Sequence, residues 1–209
     1  MVKDQLEARG IVDKRVLAAM GKVPRERFVD AAMQERAYED GPLPIGFGQT
    51  ISQPYMAALA LELLGIDGDE TVLEVGVGSG YLLALMCELA DFAYGIERHV
   101  RLARNAEDRM VSLGYRRFVL NAFDGTRGWP ENAPFDAIVV SAGAPAVPSL
   151  LVDQLADGGR LVIPVGTQKA QRLAKVTRRG SSYETEWSTP CMFVDLVGRY
   201  GWGGEPPQA

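Results

Sequence analysis

The chain has 209 residues, 47% of them apolar, and a net charge of -5 at pH 7. That length suits one sizeable domain with a substantial core, and basic residues scattered apart from Arg116-Arg117 and Arg178-Arg179 argue against a broad nucleic-acid face. A single histidine, His99, and two cysteines, Cys87 and Cys191, set in apolar runs without ligand spacing, leave little material for a hydrolase triad, a metal centre or a disulfide framework.

The N-terminus MVKDQLEARG lacks the apolar core of a signal peptide, and no apolar run is long enough to cross a bilayer, so a cytoplasmic setting without membrane contact is expected. Asp13 stands where it would cap a short helix carrying Val16, Leu17 and Met20, with Gly10 and Gly21 on either side. VPRERFV then turns into a second helical piece. Residues 37–50, AYEDGPLPIGFGQT, are rich in Gly and Pro and predict an ordered loop. After Pro54, residues Met56, Leu59, Ala60, Leu63 and Leu64 recur with helical spacing.

From Thr71 the pattern changes. TVLEVGV, FAYGIE, RFVLNAF, DAIVVSA and GRLVIPV read as short strands, with helices over residues 81–90 and 100–113, the second closed by Gly114. This alternation predicts an α/β fold: a parallel sheet with helices on both faces. Beyond Val165, RLAKVTRRG, SYETEWS and CMFVDLVG predict an antiparallel edge, and GWGGEPPQA a mobile tail. The expected layout is one structural domain: residues 1–55 as N-terminal helices and a site loop, 56–200 as the core, 201–209 as the tail.

Strand TVLEVGV runs into Gly76, Gly78 and Gly80, and a helix follows at once. Alternating glycines there allow a tight turn and close backbone approach to a ligand at a helix N-terminus. The dinucleotide fingerprint requires a small third residue, and Tyr81 or Leu83 falls there in the two possible registers, so NAD or FAD fits poorly. No Gly-Lys-Ser/Thr follows, so a Walker loop is excluded. The pattern present is E-x-G-x-G-x-G, Glu74 through Gly80, with Glu97 ending the next strand, where a carboxylate can accept both ribose hydroxyls of a nucleoside. Asp124, in FDG after the third strand, would share that sheet edge and could accept from an adenine amino group, or simply form an Asp-Gly turn.

This pattern resembles the class I S-adenosylmethionine-dependent methyltransferases. The resemblance implies a Rossmann-like fold, a mostly parallel seven-stranded sheet with an antiparallel C-terminal hairpin, here with a helical N-terminal extension. VPRERFV, PLPIGFGQTISQPY, VLEVGVGSGY, FDG followed by Gly128-Trp129, APFDAIVVSAGAP, QLADGGRLVIPVG and FVDLVG look, in that order, like the protein-L-isoaspartate (D-aspartate) O-methyltransferases. That resemblance implies methyl transfer to the α-carboxyl of isoaspartyl residues in damaged peptides and proteins, the first step of their repair. It implies Ser52 as the active-site serine, Gln49, Thr50 and Ile51 as cover for cofactor and substrate, and Gln171 as a further cofactor-side residue. With the motif residues Glu74, Gly76, Gly78, Ser79, Gly80, Glu97, Asp124 and Gly125, these make up the expected cofactor site. No metal is expected, and a monomer is.

The chemistry suits the residue set. A carboxylate is already ionised at pH 7, so no general base is needed. A neutral donor such as the Ser52 hydroxyl can position it without over-stabilising the ground state. Ser-Gln-Pro-Tyr before an apolar helix is equally a helix start, so Ser52 could cap instead. Four positions depart from the usual family sequence: Phe47, Leu82, Phe123 and Asp195. Leu82 and Phe123 are expected to flank the cofactor pocket and Phe47 to face the substrate side. The competing readings are a diverged carboxyl methyltransferase acting on a dedicated peptide or small acid, and a cofactor-binding protein without catalysis.

Overall fold

A computed structural model describes residues 1–203; residues 204–209 of the expected tail lie outside the described residues. The Asp13 carboxylate accepts hydrogen bonds from Arg15 N (2.8 Å) and Val16 N (3.2 Å), which caps helix α1 (Lys14–Lys22). Helical turns at Val2–Leu6 and Glu7–Arg9 precede it, and VPRERFV contains one 3-10 turn, Arg25–Phe28.

The Gly/Pro-rich stretch, expected as a loop, holds a hairpin of β1 (Leu43–Gly46) and β2 (Gln49–Ile51). Its two-residue turn needs positive φ at both positions, and Phe47 (φ 54°) and Gly48 (φ 70°) supply it. Leu43, Ile45 and Ile51 are buried, and this apolar alternation holds the hairpin against the core. Helix α2 (Pro54–Leu64) starts with proline at its first position and ends at Gly65 in the left-handed region (φ 57°).

The remaining elements are β3 (Thr71–Val75), α3 (Tyr81–Leu89), β4 (Phe92–Glu97), α4 (Val100–Ser112), β5 (Phe118–Ala122), β6 (Phe135–Val140), α5 (Ser149–Asp153), β7 (Leu155–Thr167), β8 (Ala170–Arg179) and β9 (Ser182–Cys191). The sheet order is β5-β4-β3-β6-β7-β8-β9. Strands β5 to β7 pair in parallel, and β7-β8 and β8-β9 are antiparallel. Side chains alternate between two cores: Val72, Ala137 and Val139 join one with α1, α2 and α3, while Leu73, Ile138 and Val140 join the other with α5. Chain direction across the sheet reverses between β3 and β6, and a crevice opens beyond the carboxyl ends of such a pair. No helix among the described residues is long and apolar enough to cross a membrane.

CMFVDLVG departs from expectation. β9 ends at Cys191, and the residues after it form only isolated bridges, Gly143 with Asp195 and Val197 with Trp202. The segment lies across the end of the sheet rather than in it. Its backbone is satisfied there: Gly143 N donates to Val194 O (2.7 Å), Leu196 N to Gly143 O (2.8 Å), and Phe193 N to Gln171 Oε1 (2.8 Å). Trp202, expected in the mobile tail, donates through its N to Leu196 O (2.7 Å) and through Nε1 to Gly143 O (2.9 Å).

Candidate active site

Beyond the ends of β3, β4 and β6 lies a cleft of about 750 Å³. One wall comes from the hairpin and the start of α2 (Gln49, Thr50, Ile51, Ser52), the floor from Glu74, Gly76, Gly78 and Ser79, and the far side from Glu97, Gly125 and Ser141. Val194 to Val197 close the remaining side. A second cleft of about 840 Å³ adjoins it, bounded by Arg9, Tyr55, Met56 and residues 189–194. Thr50, Ser52, Ser141 and Val194 line both clefts.

Glu97 is buried and pinned by two backbone donors, Gly78 N to Oε2 (2.9 Å) and His99 N to Oε1 (2.8 Å). Each oxygen retains acceptor capacity, so the carboxylate is oriented without being used up. Gly78 sits at φ 55°, and a Cβ there would come within 3.0 Å of Ile45 Cδ1, so the hairpin closes directly onto the glycine turn. Glu74 is also buried: its Oε1 accepts from Ser141 Oγ (2.9 Å), while Oε2 has no partner among the described residues. Burial drives its pKa well above the usual carboxyl range; the Ser141 bond opposes this, and the nearby charge of Glu97 adds to it. Glu74 thus presents one unpartnered oxygen at the cleft.

Ser52 does not cap α2. Gln53 holds the N-cap position, and no side-chain capping bond is made. The Ser52 main chain is instead tied down from below: Arg25 Nη2 donates to Ser52 O (2.8 Å) and Arg25 Nε to Ala37 O (2.7 Å), with the guanidinium 4.8 Å from the Tyr81 ring centroid. Arg25 is fully buried with no carboxylate bonded to it among the described residues, and burial lowers its pKa. Ser52 lines both clefts, and its side chain makes no capping bond.

Three expected site residues stand outside the cleft wall. Gly80 starts α3 at φ 91°, where a Cβ would meet Ala106 Cβ at 3.2 Å, so it serves the packing of α3 on α4. Asp124 accepts from Thr126 N (3.0 Å), Thr126 Oγ1 (2.7 Å) and Arg199 N (2.9 Å), capping the turn Gly125–Arg127. Burial pushes its pKa up, but those bonds outweigh it and leave the carboxyl below its ordinary value. Gln171 is buried and bonded to both backbone groups of Phe193, so it holds residues 194–197 in the wall without entering it.

Among the departures, Leu82 and Asp195 line the cleft. Phe123 packs edge-to-face on Trp129 (centroids 5.1 Å) instead of flanking the cleft. Phe47 does not face the second cleft: it stacks on His99 at 5.4 Å, beside the Glu97 end of the first, because the primed turn tips its ring toward α4. Sequence reasoning passed over Arg25, Ser141 and residues 194–197 as functional positions. VPRERFV and FVDLVG were visible as motifs, but the contacts that give them a role join residues 22 or more apart in sequence.

Residues 1–201 match the family described as protein-L-isoaspartate(D-aspartate) O-methyltransferase. Protein-L-isoaspartate O-methyltransferase 2 of Geotalea uraniireducens is 54% identical over 206 residues, covering 98% of this chain and 95% of the relative. A solved protein-L-isoaspartate O-methyltransferase superposes with a TM-score of 0.87 at 27% identity, covering 96% of this chain and 67% of the other. The Plasmodium falciparum isoaspartate methyltransferase solved with S-adenosyl-L-homocysteine gives 0.81 at 28% identity, covering 94% and 96%.

Proposed function

The chain belongs to the protein-L-isoaspartate(D-aspartate) O-methyltransferase family, and from that premise we propose how its residues perform the reaction. The protein is an S-adenosylmethionine-dependent carboxyl methyltransferase acting on the α-carboxyl of L-isoaspartyl residues in proteins and peptides. The first cleft fits a nucleoside-bearing cation. Glu97 offers oriented acceptors for ribose hydroxyls, and buried Glu74 offers an unpartnered oxygen for a cationic amine. Gln49, Thr50 and Ile51 cover it, Gly76, Gly78, Ser79 and Gly125 give close backbone approach, and Gln171, Gly80 and Asp124 support the wall indirectly.

When bound, the cofactor supplies a methyl group on a positively charged sulfur, already activated for transfer. The protein's part is positioning. The second cleft takes the peptide, and Ser52 Oγ donates to the isoaspartyl carboxylate at the junction, aligning one oxygen for attack while the apolar wall of Val194 and Leu196 sheds water. Arg25 fixes the Ser52 backbone so that this donor does not wander. A neutral hydroxyl holds the carboxylate less tightly than a guanidinium clamp would, leaving it nucleophilic.

The observation that carries this reading is a serine hydroxyl, free of any capping role, at the meeting point of two clefts. The test is methyl transfer from labelled cofactor to an isoaspartyl peptide beside its aspartyl twin. Labelling confined to the isoaspartyl peptide supports it, and labelling of neither overturns it. A cytoplasmic monomer without nucleic-acid or membrane partners is the accompanying reading; of these, the net charge of -5 bears on the nucleic-acid face alone, which it disfavours.

A further inference from the structure

We propose that Arg9 is a specificity determinant of the peptide cleft, where it takes the carboxylate of an acidic side chain two or three residues from the isoaspartyl residue. This rests on the methyl-transfer reading above. Arg9 lines the second cleft, and every other residue lining that cleft among the described residues is uncharged. Its backbone is anchored. The turn Glu7–Arg9 lies between buried Leu6 and Ile11, which are joined by a bond from Ile11 N to Leu6 O (3.1 Å), and it ends at Gly10 in the left-handed region (φ 92°). The guanidinium carbon stands 3.6 Å from the Tyr55 ring centroid, and Nη1 donates to Asp40 Oδ2 (2.8 Å). The cation is thus held in place before a peptide arrives.

Its existing contacts leave this cation available. Asp40 does not line the cleft, so the pair presents its positive end there. The Arg9 and Asp40 side chains are 41% and 35% exposed, and an ion pair so open to water is weak. Stacking on Tyr55 occupies the face of the guanidinium and not its edge. Among the described residues only Nη1 has a hydrogen-bond acceptor, so Nε and Nη2 remain for a carboxylate. Tyr55 follows Ser52 by three residues, a reach of at most about 11 Å even for an extended chain. An extended peptide advances about 3.3 Å per residue, so with the isoaspartyl carboxylate at Ser52 the side chain that meets Arg9 is two or three places away. The chain as a whole carries -5, so a preference for acidic peptides runs against the net charge and requires a local cation.

The experiment measures methyl transfer from labelled S-adenosylmethionine to isoaspartyl peptides blocked at both ends, with Glu, Gln or Lys two or three residues away on each flank in turn. The proteins are wild type, Arg9→Gln, Arg9→Glu and Arg104→Gln; Arg104 is an exposed residue of α4 that lines neither cleft, and its substitution removes the same charge. Wild type should favour Glu over Gln on one flank by about ten-fold in kcat/KM, the size of one hydrogen bond between charged groups. The difference should lie in KM, since the contact is made equally before and during methyl transfer. Arg9→Gln should lose this preference, Arg9→Glu should turn it toward Lys, and Arg104→Gln should keep it. Each comparison is a ratio between peptides on one protein, so a general loss of activity or stability does not imitate it. The inference is overturned if wild type shows no Glu preference on either flank, if the preference survives Arg9→Gln, or if Arg104→Gln abolishes it equally. Those outcomes leave the methyl-transfer reading standing as long as the Gln peptide is labelled and its aspartyl twin is not; labelling of no peptide overturns both.

Discussion

The Gln171 side chain gives Phe193 the pair of hydrogen bonds that a neighbouring strand would give: Oε1 accepts from Phe193 N (2.8 Å) and Nε2 donates to Phe193 O (3.2 Å). Gly143 lies so close that a Cβ there would come within 2.4 Å of the Gln171 amide. The clamp turns the chain out of the sheet after β9 and lays Val194 to Val197 along the cleft. Gln171→Ala removes both bonds and leaves the part-buried backbone groups of Phe193 without them, at up to about 1–3 kcal/mol each. The expected outcome is a lower melting temperature and S-adenosylhomocysteine affinity reduced by about ten-fold or more, with Gly143→Ala reproducing both effects. Wild-type affinity in both variants would mean that the wall holds without the clamp.

Ser52→Ala tests the positioning role directly. With the backbone held by Arg25 and no cap to lose, the substitution leaves the fold and the cofactor cleft intact. Turnover on an isoaspartyl peptide should fall by about 10²-fold or more while S-adenosylhomocysteine binding changes little, since misplacing a reactant costs on that scale. Unchanged turnover would remove Ser52 from the mechanism.

Arg25 shows how a buried charge can serve a site it does not enter. Arg25→Met strands the carbonyls of Ala37 and Ser52 in the interior, and a loss of about 2–5 kcal/mol in unfolding free energy is expected from denaturant titration. Residual turnover at a temperature where the variant stays folded should be reduced in kcat, because the Ser52 backbone is no longer fixed. Arg25→Lys should recover only part, since an ammonium is a point donor and cannot span both carbonyls as a planar fork does. Full activity in a folded Arg25→Met protein would separate the arginine from the site.

Local signals carried much of the architecture. Asp13 capped where its position predicted, the glycine turn followed β3, and strands alternated with helices through β7 because period-2 and period-3.6 patterns are local. Glu97 was legible for the same reason: it ends a strand beside the glycine turn. The hairpin at 43–51 was hidden because Gly and Pro mark loops and hairpin turns alike, and a phenylalanine at positive φ is no turn signal. CMFVDLVG was misread because its apolar residues face a cleft wall and not a sheet, a distinction that depends on Gln171, distant in the sequence. Asp124 illustrates a third case, in which the right residue stands on the right edge but its carboxylate is taken up by Thr126 and Arg199.

Glu74 makes the stability of the free protein depend on pH with a definite sign. Its folded pKa is raised by burial well above the unfolded carboxyl value near 4.3, so its protonated form is favoured in the fold. A group of this kind contributes stability that is complete below the unfolded pKa and is lost as pH rises through the folded one. Between about pH 5 and pH 8 the free protein should therefore lose stability on account of Glu74, in the direction opposite to a salt-bridged carboxylate. Glu74→Gln keeps a partner for Ser141 and removes the titration. Urea midpoints measured at the two pH values should fall less in Glu74→Gln than in wild type, with the variant the more stable of the two at pH 8. Equal slopes would mean that Glu74 is ionised in the free protein, and the cation-binding role assigned to its open oxygen would then rest on a standing negative charge.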